Sequence, residues 1–191
     1  MPRIPLVEPE HLTPEQFAYY EGNPGGKLNI YRLLCQAPTC QPGYGALAGA
    51  IFAKLDVPPQ ERELVVLAVA QLSECAYEWA QHAQIARDMG IAQARIDAIA
   101  AGHYHDAIFN DRERALFEFT RQTVQKVRVD DDAFNAVAEF YEPRQIVELL
   151  FTIGAYMMLA RIMEVAQLEV DAVEGAAVVR HAVARVDAPS L

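Results

Sequence analysis

Apolar residues recur at three- and four-residue spacing through most of the chain, interleaved with Ala, Leu, Glu and Gln over helix lengths, and this pattern predicts an all-α fold. The valine-rich stretches sit inside the same periodicity and do not read as strands. An extended, proline-rich arm over 1–13 leads to a short helix over Pro14–Tyr20, and the Gly-Asn-Pro-Gly-Gly run at Gly22–Gly26 reads as a turn. Helices follow over Leu28–Gln36 and Thr39–Lys54, with Pro38 and Pro42 near their boundary.

Pro58 and Pro59 open a helix over Glu61–Leu72 that is apolar nearly all round and is expected at the centre of the core. Ser73 is the expected N-cap of the next helix, which runs to Met89 and stops at Gly90. Further helices are predicted over Gln93–Ala101, Asp111–Val127, Asp131–Tyr141 and Pro143–Leu168, the last three opening on an acidic residue or proline. Gly154, inside the last of these, reads as a close-packing point. The remaining 170–191 hold an amphipathic stretch, Glu174–Val186, and Pro189, and read as a tail that docks on a neighbouring subunit. The expected organisation is an arm with a short helix (1–27), a helical domain (28–169) and this tail.

Composition narrows the functional classes. A chain of 191 residues, 52% hydrophobic, can bury a sizeable core. A net charge of −10, without clustered Lys or Arg, argues against a nucleic-acid partner. No run approaches the roughly 18 uninterrupted apolar residues of a membrane helix, since Ile146–Ala160 is broken by Glu148, so no membrane partner is expected. Met1–Glu10 holds three prolines and lacks the basic-then-apolar order of a secretory signal, which points to the cytoplasm. Three cysteines, Cys35, Cys40 and Cys75, then read as reduced thiols, with Cys35 and Cys40 as small buried hydrophobes.

Chemistry-bearing residues concentrate in Ser73-Glu74-Cys75-Ala76-Tyr77-Glu78-Trp79-Ala80-Gln81-His82. On a helix, Glu78 and His82 share a face at i and i+4, and Cys75 lies near the same stripe, so the three can converge on one pocket. With Ser73 as cap, Cys75 would sit in the first turn, where free amides favour a thiolate, and Glu74 would serve that same turn. The competing reading is an exposed Glu–His pair beside a buried cysteine. Glu63 tips the balance, because a carboxylate entering a core helix needs a partner and an imidazole can be one. Glu78 with His82, and His103 with His105 and Asp106, lack the further ligands of a metal site, and no metal is expected.

The run Arg62-Glu63-Leu64, then Cys75 twelve residues beyond Glu63, then Tyr77-Glu78-Trp79 and His82, resembles the signature of the carboxymuconolactone decarboxylase and alkyl hydroperoxidase D family. The likeness continues through Arg95-Ile96, the Asp111–Leu116 segment and Val147-Glu148-Leu149, and covers about Ile30 to Glu169. It implies an alkyl hydroperoxidase D-like helical bundle, no cofactor, and a homo-oligomer, a trimer or hexamer. In the hydroperoxidase branch the site is Cys-x-x-Cys-x-x-x-His with an upstream glutamate. Here Glu63, Cys75 and His82 match, but Glu78 replaces the second cysteine, the one that attacks peroxide, so the two-thiol cycle cannot run.

The Tyr-Glu-Trp-x-x-His pattern resembles the decarboxylase side, which implies cofactor-free proton transfer on a small carboxylated lactone or related acid. In that reading His82, held by Glu63, is the acid and Glu78 sets the imidazole tautomer or handles a second proton. Tyr77 and Trp79 wall the substrate from water, and Arg32, Arg62 and Arg161 are the cations available for a substrate carboxylate. The alternatives are a single-thiol peroxidase using Cys75 and a non-catalytic oligomeric protein on the same fold.

Overall fold

The computed structural model describes residues 2–187, and within them every regular element is helical. After a single 3-10 turn at Pro9–His11 come α1 (Pro14–Gly22), α2 (Pro24–Lys27), α3 (Asn29–Leu34), α4 (Gln41–Ala53) and α5 (Pro59–Leu72). These are followed by α6 (Ala76–Asp88), α7 (Gln93–Ala100), α8 (Asp111–Gln125), α9 (Asp131–Ala138), α10 (Pro143–Ala166) and α11 (Ala176–Asp187). Ten of these eleven correspond to helices expected from the periodicity. The other, α2, lies where the sequence reads as a turn, because Asn23 caps it through Oδ1 to the Gly25 N–H at 2.8 Å and Pro24 supplies its first residue.

Helix α5 is the axis of the fold. Arg62 to Ala70 is buried without a break, and α5 packs against α6, α7, α8 and α10. Two apolar clusters lie on its sides: Val65, Val66 and Val69 meet Leu149, Ile153 and Tyr156 of α10, while Leu64, Leu67 and Ala68 meet Ile96, Ile99, Phe109 and Phe117. An all-round apolar helix is stable only when surrounded in this way.

Helix α10 behaves differently from expectation in two respects. Although Glu148 interrupts its apolar run, it is long and apolar enough to cross a membrane by length and composition, and half of its most apolar stretch is buried inside this fold. Its outer face carries Val147, Leu150, Phe151, Met158 and Val165, all exposed. Gly154 lies on that outer face with open space where a side chain would project, so it is not a packing point for this chain's own core.

The segment expected to dock on a neighbouring subunit packs on its own chain: α11 lies against α2, α4 and α6. Its first turn is capped by Asp88, which accepts from the Ala176 N–H at 2.8 Å, after Gly175 turns the chain at φ +58. Pro189 lies outside the described residues.

Close backbone approach explains one glycine. A Cβ on Gly26 would stand 2.5 Å from the Tyr19 carbonyl oxygen and 2.7 Å from the Tyr20 Cα, whereas at Gly22 nothing lies within 4 Å. Gly26→Ala should therefore lower stability by about 1–3 kcal/mol, the usual cost of forcing backbone apart, while Gly22→Ala should change it little. Parallel urea melts of the two variants test this, and equal midpoints would contradict the close packing of α2 on α1.

Candidate active site

Helices α5 and α6 are joined by three residues, Ser73, Glu74 and Cys75, which makes them antiparallel neighbours. The joint differs from the expected one. Ser73 ends α5 instead of capping α6, and Glu74 takes a left-handed conformation at φ +52 that lets the Cys75 N–H reach back to the Ala70 carbonyl at 2.9 Å. This is a helix C-terminal motif usually built with glycine, and a glutamate in its place hid it from the sequence. Cys75 is consequently the N-cap residue of α6, one position before the first turn, and Glu74 belongs to neither helix.

The turn sets Glu63 of α5 opposite His82 of α6. Glu63 is wholly buried, and its two oxygens are divided between partners. Oε1 accepts from Arg62 Nε at 3.1 Å and Nη2 at 2.9 Å, while Oε2 meets His82 Nδ1 at 2.8 Å. Arg62 also donates to the Phe52 carbonyl at 2.9 Å, tying α5 to the end of α4. Burial works to raise the Glu63 pKa, but His82 and Arg62 together outweigh it and hold the carboxyl below its usual range. An ionised Glu63 can only accept, so His82 Nδ1 is the donor and Nε2 is the nitrogen available to the cavity that His82 lines. The imidazole tautomer is thus set by Glu63, not by Glu78 as the sequence suggested.

Glu78 is the outlier of the site. It is 2% exposed, both carboxyl oxygens lack a hydrogen-bond partner, and burial raises its pKa well above the ordinary carboxylate value. An unpaired buried carboxylate is costly enough that the group takes the neutral, protonated form instead. One turn apart on α6, the two residues therefore set an imidazole engaged through Nδ1 by Glu63 beside a carboxyl group with a proton to give.

Both line a cavity of about 760 Å³ between α4, α6 and α10. Most of its wall is aromatic or aliphatic, including Tyr19, Tyr44, Phe52, Tyr156 and Leu159. The Tyr156 ring meets the His82 ring edge-on at 4.9 Å between centroids. Val178 of α11 contributes to the wall, so the C-terminal helix closes one side. Its approach is anchored by Asp171, whose carboxylate accepts from Tyr77 Oη at 2.9 Å, from Gln81 Nε2 at 3.0 Å and from the Asn29 N–H that opens α3.

The other sequence-selected residues fall elsewhere. Cys75 is 1% exposed and packs in the α10-side cluster, not on the cavity wall. Burial pushes its thiol up to about 12, the Glu78 backbone amide acting the other way without prevailing. The expected first-turn thiolate is therefore absent at neutral pH. Tyr77 lines the cavity, but Trp79 packs with the Leu64–Phe117 cluster on the opposite side and does not wall it. Arg32 is engaged by Glu8 and the Val7 carbonyl, Arg62 by Glu63, and Arg161 donates to the Met157 carbonyl; none of the three lines the cavity. Cys35 is buried as expected, whereas Cys40 is exposed at the start of α4. Among the described residues no group of three or more His, Cys, Asp or Glu is arranged to hold a metal ion.

Sequence reasoning missed Tyr44, Tyr156, Gln81 and Asp171. Only Gln81 carried a usable signal, standing three positions after Glu78 on the same helix face.

The all-helical bundle has counterparts among known proteins. Residues 38–122 match the carboxymuconolactone decarboxylase family, a shorter span than the sequence resemblance suggested. That match spans less than half of the chain, and the chain as a whole has the alkyl hydroperoxidase D-like fold. A curated relative, the uncharacterized protein YdfG of Bacillus subtilis, is 31% identical over 95 residues, which is 49% of this chain and 64% of that protein. The chain thus spans somewhat less than two thirds of that relative's length.

Two solved structures carry the fold. An uncharacterized peroxidase-related protein with an alkylhydroperoxidase AhpD core, from Ralstonia eutropha JMP134, superposes with a TM-score of 0.79 at 19% identity, covering 89% of this chain and 92% of that one. The debrominase Bmp8 does so with a TM-score of 0.74 at 17% identity, covering 96% and 97%. At such identities the likeness speaks to the fold alone.

The two buried carboxyl groups should differ in their effects on stability. Glu63→Leu strands Arg62 and should cost about 3–5 kcal/mol, part of it recovered when Arg62→Met is added. For Glu78 the sign is opposite. Its folded pKa lies above the unfolded value, so its contribution is fully present below about pH 4 and is lost as pH rises through the folded pKa. Glu78→Gln lacks this loss, so its melting temperature relative to wild type should climb with pH from about 4 and then level off. A difference that does not vary with pH would show Glu78 to be ionised in the fold.

Proposed function

We propose that the chain is a cofactor-free acid–base enzyme acting on a small conjugated carbonyl compound in the α4–α6–α10 cavity, with His82 and Glu78 as its catalytic residues and Glu63 as the residue that positions His82. The observation that carries this reading is the pairing of opposite proton states on one helix face: His82 with Nδ1 committed to Glu63, and Glu78 neutral and unpartnered. The roles differ from those suggested by the sequence. His82 Nε2 is the resting base, and Glu78 is the acid.

The shared chemistry of this site is passage through an enol. Electrons released at a carbon next to an unsaturated carbonyl, by loss of carbon dioxide from a carboxylated lactone or by removal of a proton, flow to the carbonyl oxygen. There the Glu78 proton meets the developing charge, in an apolar surround that strengthens the interaction. His82 moves the proton at carbon. The match of residues 38–122 to the carboxymuconolactone decarboxylase family is compatible with the lyase form of this scheme.

The thiol-peroxidase reading finds less support. Cys75 is buried off the cavity wall with its pKa near 12, and a peroxidatic thiol needs exposure and a low pKa. The non-catalytic reading would leave a protonated, unpartnered carboxyl in a large cavity without a role.

The assembly we propose is a homo-oligomer in which a second copy covers the Val147, Leu150, Phe151, Met158 and Val165 face of α10. These five exposed apolar side chains are spread over some five turns, and a second copy would offer the same apolar surface in return. Light scattering should give a multiple of 21.2 kDa, and Phe151→Glu should shift it towards the single-chain mass. A single-chain mass for the unaltered protein would overturn this assembly.

A panel of small carboxylated lactones, unsaturated ketones and organic hydroperoxides tests the activity. On the substrate so found, His82→Ala and Glu78→Gln should each lose on the order of 10² to 10⁴ in kcat/KM, while Cys75→Ser should retain most of it. Hydroperoxide turnover that vanishes in Cys75→Ser would replace this proposal with the thiol mechanism.

A further inference from the structure

The cavity also constrains the charge of what can enter it. From the arrangement of Glu78 in an aromatic wall we infer that the ligand is an uncharged, flat, conjugated carbonyl compound, bound by its carbonyl oxygen to the Glu78 hydroxyl. This rests on the reading of the cavity as the substrate site and goes further by excluding carboxylate substrates.

Three features converge on it. Glu78 is 2% exposed with both oxygens unpartnered, so it offers one O–H donor and one acceptor to whatever occupies the cavity. Buried polar groups are matched in functional complexes, which makes an unmatched pair a specification for the missing partner. The wall around it is Tyr44, Tyr156, Phe52 and Leu159, surfaces that reward a flat apolar body and would strip water from an anion without replacing it. Behind His82 stands the ionised Glu63, already paired with Arg62, so the nearest fixed cation is spent and the net field does not favour a second anion.

A cation for a carboxylate would have to come from the wall, and no Arg or Lys among the described residues lines it. The titratable groups around Glu78 are neutral or negative in tendency: Tyr44 from α4 and Tyr156 from α10 both have raised pKa values, as does Cys75 at the start of α6.

With such a ligand the route into the enol is deprotonation, not decarboxylation. His82 Nε2 takes a proton from the saturated carbon at the far end of the conjugated C=C, the electron pair of that C–H bond moves through the conjugated system, and the carbonyl oxygen takes the proton of Glu78. The pair then returns to the carbon next to the carbonyl, which takes the proton held by His82, while the oxygen gives its proton back to Glu78. Atoms and electrons balance within the site, and the net reaction is an isomerisation that moves a double bond.

Acetophenone and benzoate share one ring and nearly one shape, and differ in charge. Calorimetric titration of the full chain at neutral pH should find acetophenone bound at least about tenfold more tightly than benzoate. Glu78→Gln, which keeps an N–H donor, should retain acetophenone binding, whereas Glu78→Leu should weaken it about five- to tenfold, the net worth of one hydrogen bond. Loss of an unpaired buried acid does not threaten the fold, so all three proteins can be compared. Benzoate binding as tight as acetophenone, or equal acetophenone affinity in Glu78→Leu, overturns the inference. Because binding is read without turnover, either result leaves the acid–base proposal to stand or fall on the His82→Ala kinetics.

Discussion

A carboxylate sealed into the middle of a helical core has to be matched on every side, and the match made around Glu63 organises much of this molecule. Arg62 balances its charge and at the same time binds the carbonyl end of α4, so one guanidinium joins two helices and neutralises a third party. The second oxygen holds His82, which fixes the rotation of α6 about its axis and with it the direction in which Glu78, Gln81 and Tyr77 project. The apolar clusters on the two sides of α5 supply the bulk of the burial, but they would tolerate small rotations that the Glu63 pairings do not.

The α5–α6 pair sets one acid against another. Glu63 is held ionised because it has partners, and Glu78 is driven neutral because it has none. Distance from solvent is nearly equal for the two, so the difference comes from hydrogen bonding and charge alone. Two glutamates in one site can in this way carry opposite proton inventories at one pH, which is the condition for moving a proton in and out of a ligand without a metal or an organic group.

Much of this was legible in the sequence, and the limits have physical causes. Helical periodicity located α5, α8 and α10 to within two or three residues, since their apolar faces are long and unbroken. The Glu63–His82 contact followed from the need of a buried carboxylate for a partner. The joint at 73–75 did not follow, because a left-handed glutamate carries no sequence mark, and so the environment of Cys75 was inverted from activated to inert. Trp79 was assigned to the cavity from its nearness in sequence to Glu78, yet adjacent helical positions face about 100° apart, and its ring joined the other cluster. Asp171 lay in a segment without periodicity, and its three partners stand 90, 94 and 142 positions earlier, none of which a local pattern can announce.

That single aspartate has a temporal meaning. It joins the first residue of α3, two side chains of α6 and the approach to α11, and Val178 then completes the cavity wall. During synthesis the groove between α4, α6 and α10 leaves the ribosome before the segment that covers it, so the apolar hollow stands open to water until α11 arrives. The order of events in synthesis is therefore frame first and enclosure last.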